Sequence, residues 1–261
     1  MKERDTKANV KAQFGKNASN YVTSKTHAKG NDLRKLVEVA NVKGDEYVLD
    51  IATGGGHVAN ALAPLVRDVV ALDLTTEILE AAKSFIESNG NSNVEFVQGD
   101  AEQLSFDDES FDIITCRIAA HHFPNISAFV REAFRVIKAE GTLLLIDNVA
   151  PERDDFDQFY NKIEKDRDHS HHRAWKKSEW YQKLEVTGFE IEESYRFQKH
   201  FQFNTWCQMM NLAEEKKTYL SNDMMQSTKE HQAKFRIQVR DGKVDSFMGE
   251  AILIKATKPS L

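Results

Sequence analysis

Apolar and polar positions along residues 46–149 switch repeatedly between two periods. Short apolar runs at 48–51, 68–72, 94–97, 111–116 and 142–146 have the length and β-branched content of buried strands. Between them, apolar residues recur at three- and four-residue steps. Val58, Ala61, Leu62 and Leu65 follow His57, while Leu79, Ala82, Phe85 and Ile86 follow Thr75, a predicted N-cap. Phe129, Val130, Ala133, Phe134 and Ile137 follow a second predicted cap, Asn125, and Gly141 closes that helix. This alternation predicts parallel βαβ units with right-handed crossovers, that is, a doubly wound α/β sheet.

Ahead of this core the pattern predicts an interrupted helical arm over 8–29, with Phe14, Tyr21 and Val22 as its apolar contacts, and a more regular helix over 32–40. Beyond Pro151 it predicts a polar helix at 154–168, a helix opened by Ser178 and Glu179, and a strand at 189–203. An amphipathic stretch follows at 205–231, then a strand-like run at 235–239, an Asp241-Gly242 turn and a strand at 250–256. We expect a single domain in three parts. Residues 1–43 form an N-terminal helical cap, 44–150 a nucleotide-type core, and 151–261 the rest of the sheet. Helical insertions in the last part cover the crevice at the carboxyl ends of the strands, where ligands of such sheets bind.

Composition narrows the picture. The 261 residues, 41% hydrophobic and 29% charged, suit one sizeable globular core. The net charge of −6 is uneven: residues 1–43 carry ten Lys/Arg against four Asp/Glu, so the body is acidic. An acidic body argues against nucleic acid as a partner, because phosphates need a basic face. No apolar run reaches the ~18 residues of a membrane span, and the charged first residues lack a signal-peptide core, so a cytoplasmic protein is expected. Cys116 and Cys207 have neither metal-ligand spacing nor a disulfide framework, and are expected to be reduced thiols.

The run Val48-Leu49-Asp50-Ile51-Ala52-Thr53-Gly54-Gly55-Gly56-His57 passes from an apolar strand through an acid into three glycines and a helix. Glycines there let a ligand approach the backbone and permit a tight turn with positive φ. Two cofactors compete for this loop. Gly54-Gly55-Gly56-His57-Val58-Ala59 fits the G-x-G-x-x-G/A dinucleotide pattern, with Asp73 placed downstream for a ribose. Against a dinucleotide, three residues separate Asp50 from Gly54, whereas the first glycine of such a loop follows its strand almost at once. An acid at the strand end suits a cofactor with an ammonium group. S-adenosylmethionine has one, with a ribose and an adenine besides, and Asp50, Asp73 and Asp100 stand at three successive strand ends.

Four motifs in order then carry a resemblance to class I S-adenosylmethionine-dependent methyltransferases of the ubiquinone/menaquinone-biosynthesis-like small-molecule group. They are the Val48–Gly56 run, Ala71-Leu72-Asp73-Leu74, Gly99-Asp100-Ala101-Glu102-Gln103-Leu104-Ser105-Phe106 leading into Phe111-Asp112-Ile113-Ile114, and Ile137-Lys138-Ala139-Glu140-Gly141-Thr142-Leu143. Where the family has its first loop glycine this chain has Ala52, which keeps the site small but reaches positive φ only at a cost. The resemblance implies a Rossmann-like, seven-stranded, mostly parallel sheet with an antiparallel last strand. It implies S-adenosyl-L-methionine as cofactor and O-, C- or N-methylation of a small molecule. Asp50 would hold the methionine amino group, and Gly54 and Gly56, with Ala52 and Thr53, would let the loop pack against the tail. Asp73 would accept the ribose hydroxyls with Leu74 against the adenine, and Asp100 and the Ala101 amide would meet the adenine amine. Tyr21 would fold over the cofactor tail, and Arg117 would belong to the same site. A nicotinamide-dependent oxidoreductase and a non-catalytic S-adenosylmethionine-binding module are the alternatives.

Candidate chemistry follows the fourth strand, where Cys116-Arg117-Ile118-Ala119-Ala120-His121-His122-Phe123 sets two imidazoles beside the expected methyl group. Histidine titrates near neutral pH, so His121 and His122 are the candidate catalytic bases. The Asn/Asp-Pro-Pro-aromatic turn of enzymes that methylate planar exocyclic nitrogens is absent here, which favours a small-molecule acceptor. The run Arg167-Asp168-His169-Ser170-His171-His172-Arg173 lacks metal-ligand company and is expected to be a loop. It resembles a segment over the acceptor pocket, with Arg167, His171 and Arg173 as substrate-binding residues suited to an anionic acceptor.

Overall fold

The computed structural model describes residues 7–8 and 30–260. Eight strands form one sheet: β1 (Tyr47–Ile51), β2 (Asp68–Asp73), β3 (Val94–Gln98), β4 (Phe111–Arg117), β5 (Ile137–Asn148), β6 (Glu190–Gln202), β7 (Gln238–Arg240) and β8 (Lys243–Thr257). Nine α-helices accompany them among the described residues: α1 (Asn31–Ala40), α2 (His57–Leu62), α3 (Thr76–Ser88), α4 (Ile126–Val136), α5 (Asp154–Arg167), α6 (Lys177–Thr187), α7 (Phe203–Gln208), α8 (Glu214–Gln226) and α9 (Lys229–Lys234). The strand order is β3-β2-β1-β4-β5-β8-β6, with β7 attached to β8. Strands β1 to β5 pair in parallel, and β8 runs antiparallel between β5 and β6. The doubly wound sheet with one reversed strand is therefore present, and the short β7 makes an eighth strand. Asp241 and Gly242, at φ 51° and 72°, turn the β7–β8 hairpin in the left-handed pair of conformations for which Asp-Gly is suited.

The apolar runs are continuous because the sheet is buried on both faces. Leu49, Ile51, Ile114 and Ile252 pack under α4 and α6, while Val48, Ile113, Leu144 and Leu253 pack under α1, α2 and α3. Each such fully buried side chain stabilises the fold by about 1.5–3 kcal/mol. A third cluster, containing Tyr160, Ile163, Phe203, Trp206, Leu220, Met224 and Phe247, joins the insertion helices to the first half of β8. Among the described residues no helix is long and apolar enough to cross a membrane.

Three local expectations are corrected. Helix α4 stops at Val136, and Ile137 already pairs with Phe111 in the sheet. Gly141 lies in an irregular stretch of β5 instead of closing the helix; a Cβ there would stand 2.7 Å from Ile137 Cγ1. Strand β8 begins at Lys243 and not near residue 250, because Val244 and Phe247 are buried against the insertion. Most of the N-terminal arm, with Tyr21, lies outside the described residues.

Candidate active site

The carboxyl ends of β1, β2 and β4 and the loop after β3 open into one cleft with about 1030 Å³ of empty space, part of it continuous with solvent. Of the expected cofactor residues, Asp50, Ala52, Thr53, Gly54, Asp73, Leu74, Asp100, Ala101 and Arg117 line it. Gly56 does not. Its φ of 77° starts α2, and a Cβ there would come within 2.8 Å of Ile86 Cδ1, so it serves the packing of α2 on α3.

Hydrogen bonds fix the acids. Asp50 is 1% exposed and accepts from the hydroxyls of Thr53 at 2.6 Å and Thr115 at 2.7 Å. Burial pushes its carboxyl up to about 6, against the pull of those hydroxyls and of Arg117. Asp73 accepts from the Gly54 and Thr75 amides, each at 3.0 Å, so the glycine loop is tied to the end of β2. Burial raises this carboxyl as well. Thr75 stands at the cap position of α3 but makes no capping bond. Its Oγ1 is buried without a hydrogen-bond partner among the described residues, and the residue lines the cleft. Asp100 accepts from the Glu102 amide at 2.9 Å and is ion-paired with Lys7 at 2.6 Å.

Two residues without glycine's freedom hold left-handed backbone at the cleft, Ala52 with φ 55° and Ile118 with φ 54°. Such a conformation costs roughly 1–2 kcal/mol for an L-residue, and for a β-branched side chain it is a rare outlier. Sheet-end hydrogen bonds hold both segments: Thr53 N–H donates to Leu72 O at 2.9 Å and Ile118 N–H to Ile146 O at 2.7 Å.

Arg117, at the end of β4, pairs with the buried Asp32 of α1 at 2.9 Å, and Lys199 of β6 approaches the same carboxylate at 3.4 Å. Burial opposes the charge on Asp32, but the two cations outweigh it and hold the carboxyl below its usual range. Neither Asp32 nor Lys199 was expected. Asp32 could have been found, since it shares a helix face with Leu36 and Val39 in the core cluster.

The two candidate histidines differ. His122 lines the cleft, but its Nδ1 lies 3.1 Å from Ser170 O and its Nε2 4.0 Å from Asp168 Oδ2, so both nitrogens face the turn after α5. Burial, then the neighbouring His121, lowers it to about 3, and the ring is neutral at physiological pH. The His121 ring centroid is 4.2 Å from that of His122, and its Nδ1 meets Asp147 Oδ1 at 2.6 Å. Burial pulls His121 down, yet the Asp147 carboxylate outweighs it and holds the imidazole above its ordinary value. A carboxylate only accepts, so Nδ1 carries the hydrogen and Nε2 is left to take a second proton. Asp147 was missed, although it closes the fifth apolar run just as the other acids close theirs.

The expected acceptor-binding residues do not meet in the cleft. Arg167 is ion-paired with Glu164 at 2.8 Å and lies over the Trp206 ring, and Arg173 is held by Asp157 at 2.9 Å and Glu179 at 3.2 Å. Both guanidiniums are held by carboxylates of the chain itself. His171 is buried, with Nε2 3.0 Å from Asn161 Oδ1 and its ring beside His121.

The lining fits an adenosine carrying an ammonium tail. Carboxylates sit at three strand ends, the space beside Gly54 is open to within 3.9 Å of Ala52 O, and the unengaged Thr75 hydroxyl adds a polar contact. Comparison with known proteins agrees. Residues 49–145 match a family model described as a methyltransferase domain. Over 246 residues the chain is 37% identical to the uncharacterised methyltransferase YcgJ of Bacillus subtilis, covering 94% of this chain and 97% of that one. The chain belongs to the S-adenosylmethionine-dependent methyltransferases. This methyltransferase is also similar to the crystal structure of a candidate methyltransferase from Bacillus halodurans C-125, at a TM-score of 0.87 and 60% identity, covering 88% of this chain and 100% of that one. The ubiquinone/menaquinone biosynthesis C-methyltransferase UbiE of Pseudomonas putida is 34% identical over 122 residues, 45% of this chain and 48% of that protein.

Proposed function

We propose that this methyltransferase acts in the cytoplasm on a small-molecule acceptor, with Asp50, Asp73 and Asp100 holding the amino, ribose and adenine groups of its cofactor. The convergence of these three carboxylates on one cleft, beside a buried hydroxyl with no partner among the described residues, is the observation that carries the assignment. Arg117 lines the cleft, with Asp32 and Lys199 beside it, and suits the carboxylate of the cofactor tail. In this reading residues 1–43 cap the site, 44–150 hold the cofactor and 151–261 form the acceptor side. The acidic body supports a small molecule over nucleic acid.

S-adenosylmethionine supplies an electrophilic methyl group: the acceptor atom bonds to the methyl carbon while the sulfur keeps the electron pair of the breaking bond. The chain's own work is positioning, which can supply on the order of 7–11 kcal/mol, and proton handling. His121 is the base of this reading. Asp147 fixes its tautomer, and Nε2 takes the acceptor's proton. His122 walls the cleft.

Calorimetry with S-adenosylhomocysteine and with NAD tests the cofactor assignment, and labelled cofactor incubated with metabolite extracts identifies the acceptor. Binding of S-adenosylhomocysteine alone and a labelled small molecule are the expected results. NAD binding without a response to S-adenosylhomocysteine, or label in nucleic acid only, overturns the reading.

A further inference from the structure

A second cavity lies where the loop after β5, the start of α5 and the segment after α9 stand around one face of β6 and β8. It holds about 1150 Å³ of empty space, part of it continuous with solvent, and shares no lining residue with the cofactor cleft. Gln198 and Glu250 stand opposite each other in the β6–β8 register, and Arg196 and Met248, two residues along their strands, lie on the same face. Pro151, Phe156 and Met248, all half-buried, give the cavity apolar surface. Met248 N–H donates to Phe235 O at 2.7 Å and so fixes the end of α9 against β8. The helix closes there through Ile237 N–H on Gln232 O at 2.9 Å, with Arg236 in left-handed backbone at φ 45°. Glycine takes that position at little cost and arginine does not. The turn buries Phe235, 3% exposed, and leaves Lys234 and Arg236 on either side of it at the cavity.

Five cations line this cavity against two carboxylates, Glu152 and Glu250, in a chain whose net charge is −6. Their partners are unequal. Arg153 is held by Asp155 and Glu230, Lys177 and Arg196 share Glu250, and Glu152 accepts from the Ser178 hydroxyl. Lys234 and Arg236 have no ion pair or side-chain hydrogen bond among the described residues. Like charges gathered in one place repel, and an anion seated among them relieves the repulsion. A bare ion would leave the apolar surface uncovered, whereas a ring or short chain carrying the charge covers it, as is usual where polar groups orient a ligand in a mainly apolar pocket.

We propose that this cavity is a second ligand site, for a small organic oxyanion: a carboxylate or phosphate held by Lys234 and Arg236, on an apolar body laid against Pro151, Phe156 and Met248. Both oxyanions match the planar fork of the Arg236 guanidinium. An alcohol of the same size brings no charge to the two cations, and an amine adds a third. Nothing in the site depends on which cofactor fills the cleft.

Phenyl phosphate, benzoate, benzyl alcohol and inorganic phosphate test it on the full chain, with and without saturating S-adenosylhomocysteine, the ring compounds followed by ligand-observed NMR and inorganic phosphate by calorimetry. Phenyl phosphate or benzoate should bind at least tenfold more tightly than benzyl alcohol and inorganic phosphate, and equally in the presence and absence of S-adenosylhomocysteine. Which of the two binds better separates a phosphate ester from a carboxylate. Replacing both cations, Lys234→Gln with Arg236→Gln, should weaken the better anion by about tenfold, the loss of two rim contacts. Arg131→Gln, at an exposed arginine outside the cavity, should leave it unchanged. Arg236→Gly, which suits the φ of 45°, keeps the turn intact and should weaken the anion as Arg236→Gln does. Benzyl alcohol binding as tightly as the anions, no binding of either ring anion, its displacement by S-adenosylhomocysteine, or an affinity unaltered in the double variant or lowered as much by Arg131→Gln each overturns the proposal. Inorganic phosphate binding as tightly as phenyl phosphate does so too, because the cavity would then hold an adventitious ion only.

Discussion

The Asp50 carboxylate on β1 accepts the Thr115 hydroxyl of β4 at 2.7 Å, joining the two strands that form the middle of the cleft floor. With a value of about 6 in the fold against 3.8 as the ordinary one, ionising this group in the folded protein costs about 3 kcal/mol. Because the folded value is the raised one, its contribution favours folding below the ordinary carboxylate range and is lost as pH rises through about 6. Asp50→Asn should therefore be more stable than the parent at neutral pH, by up to about 3 kcal/mol, while binding S-adenosylhomocysteine more weakly by about 1.5–3 kcal/mol. Urea unfolding of both proteins at several pH values checks this. A stability gap that stays flat across pH 5 to 8 would contradict it.

In the proposed mechanism Asp147 acts through His121, so its effect belongs in the pH profile. The base works deprotonated, and Asp147 holds the imidazole above its ordinary value, so the acid limb of kcat/KM should lie above 6.5. Asp147→Asn should move that limb to lower pH and reduce the plateau, and His121→Ala should abolish the limb with a loss of roughly 10²- to 10⁴-fold. His122→Ala should leave the limb where it is, since that ring is already neutral. A limb that follows His122 and not His121 would reverse the assignment.

At Ala52, glycine should improve the fold. Relief of a left-handed alanine is worth roughly 1–2 kcal/mol, offset by the ~0.5–1 kcal/mol of extra chain entropy that glycine loses. Ala52→Gly should therefore gain up to about 1 kcal/mol, seen as a higher denaturation midpoint at unchanged slope. A lower midpoint would mean that the φ of 55° carries no net strain.

Arg117 is predicted to recognise the cofactor's tail and not its nucleoside. Arg117→Gln should weaken S-adenosylhomocysteine by about 1.5–3 kcal/mol, the value of a hydrogen bond to a charged group, while methylthioadenosine, which lacks the amino-acid end, binds as before. Equal losses for both compounds would place the arginine's role in holding Asp32 and α1 alone.

The parallel core was legible because its strands are buried on both faces and so read as unbroken apolar runs closed by acids, as at Asp50 and Asp73. Asp147 closes the fifth run in the same way, but Asn148-Val149-Ala150-Pro151 follows it and no glycine loop marks a ligand there. Tyr160 and Glu164 had no local signal: α5 is polar in sequence, and they are buried because α7, α8 and β8 close over them. Arg167 and Arg173 looked available because a charge pattern does not show partners at long range. Only the Glu164–Arg167 spacing, one turn along a helix, could have warned that an arginine was taken.

The placement of β8 also sets an order of assembly. It follows every other strand in the chain yet lies inside the sheet, and β6 has no other strand partner among the described residues. During synthesis β1 to β5 can pair as they emerge, but the outer flank of β5 and both flanks of β6 stay open until residues 243–257 have been made. Exposed edges of this kind template pairing with other chains, and closing them by such distant contacts is slow. A nascent chain of this enzyme therefore passes through a long interval in which its first five strands are paired and the rest is a sticky, unfinished sheet, the interval in which a chaperone has most to do.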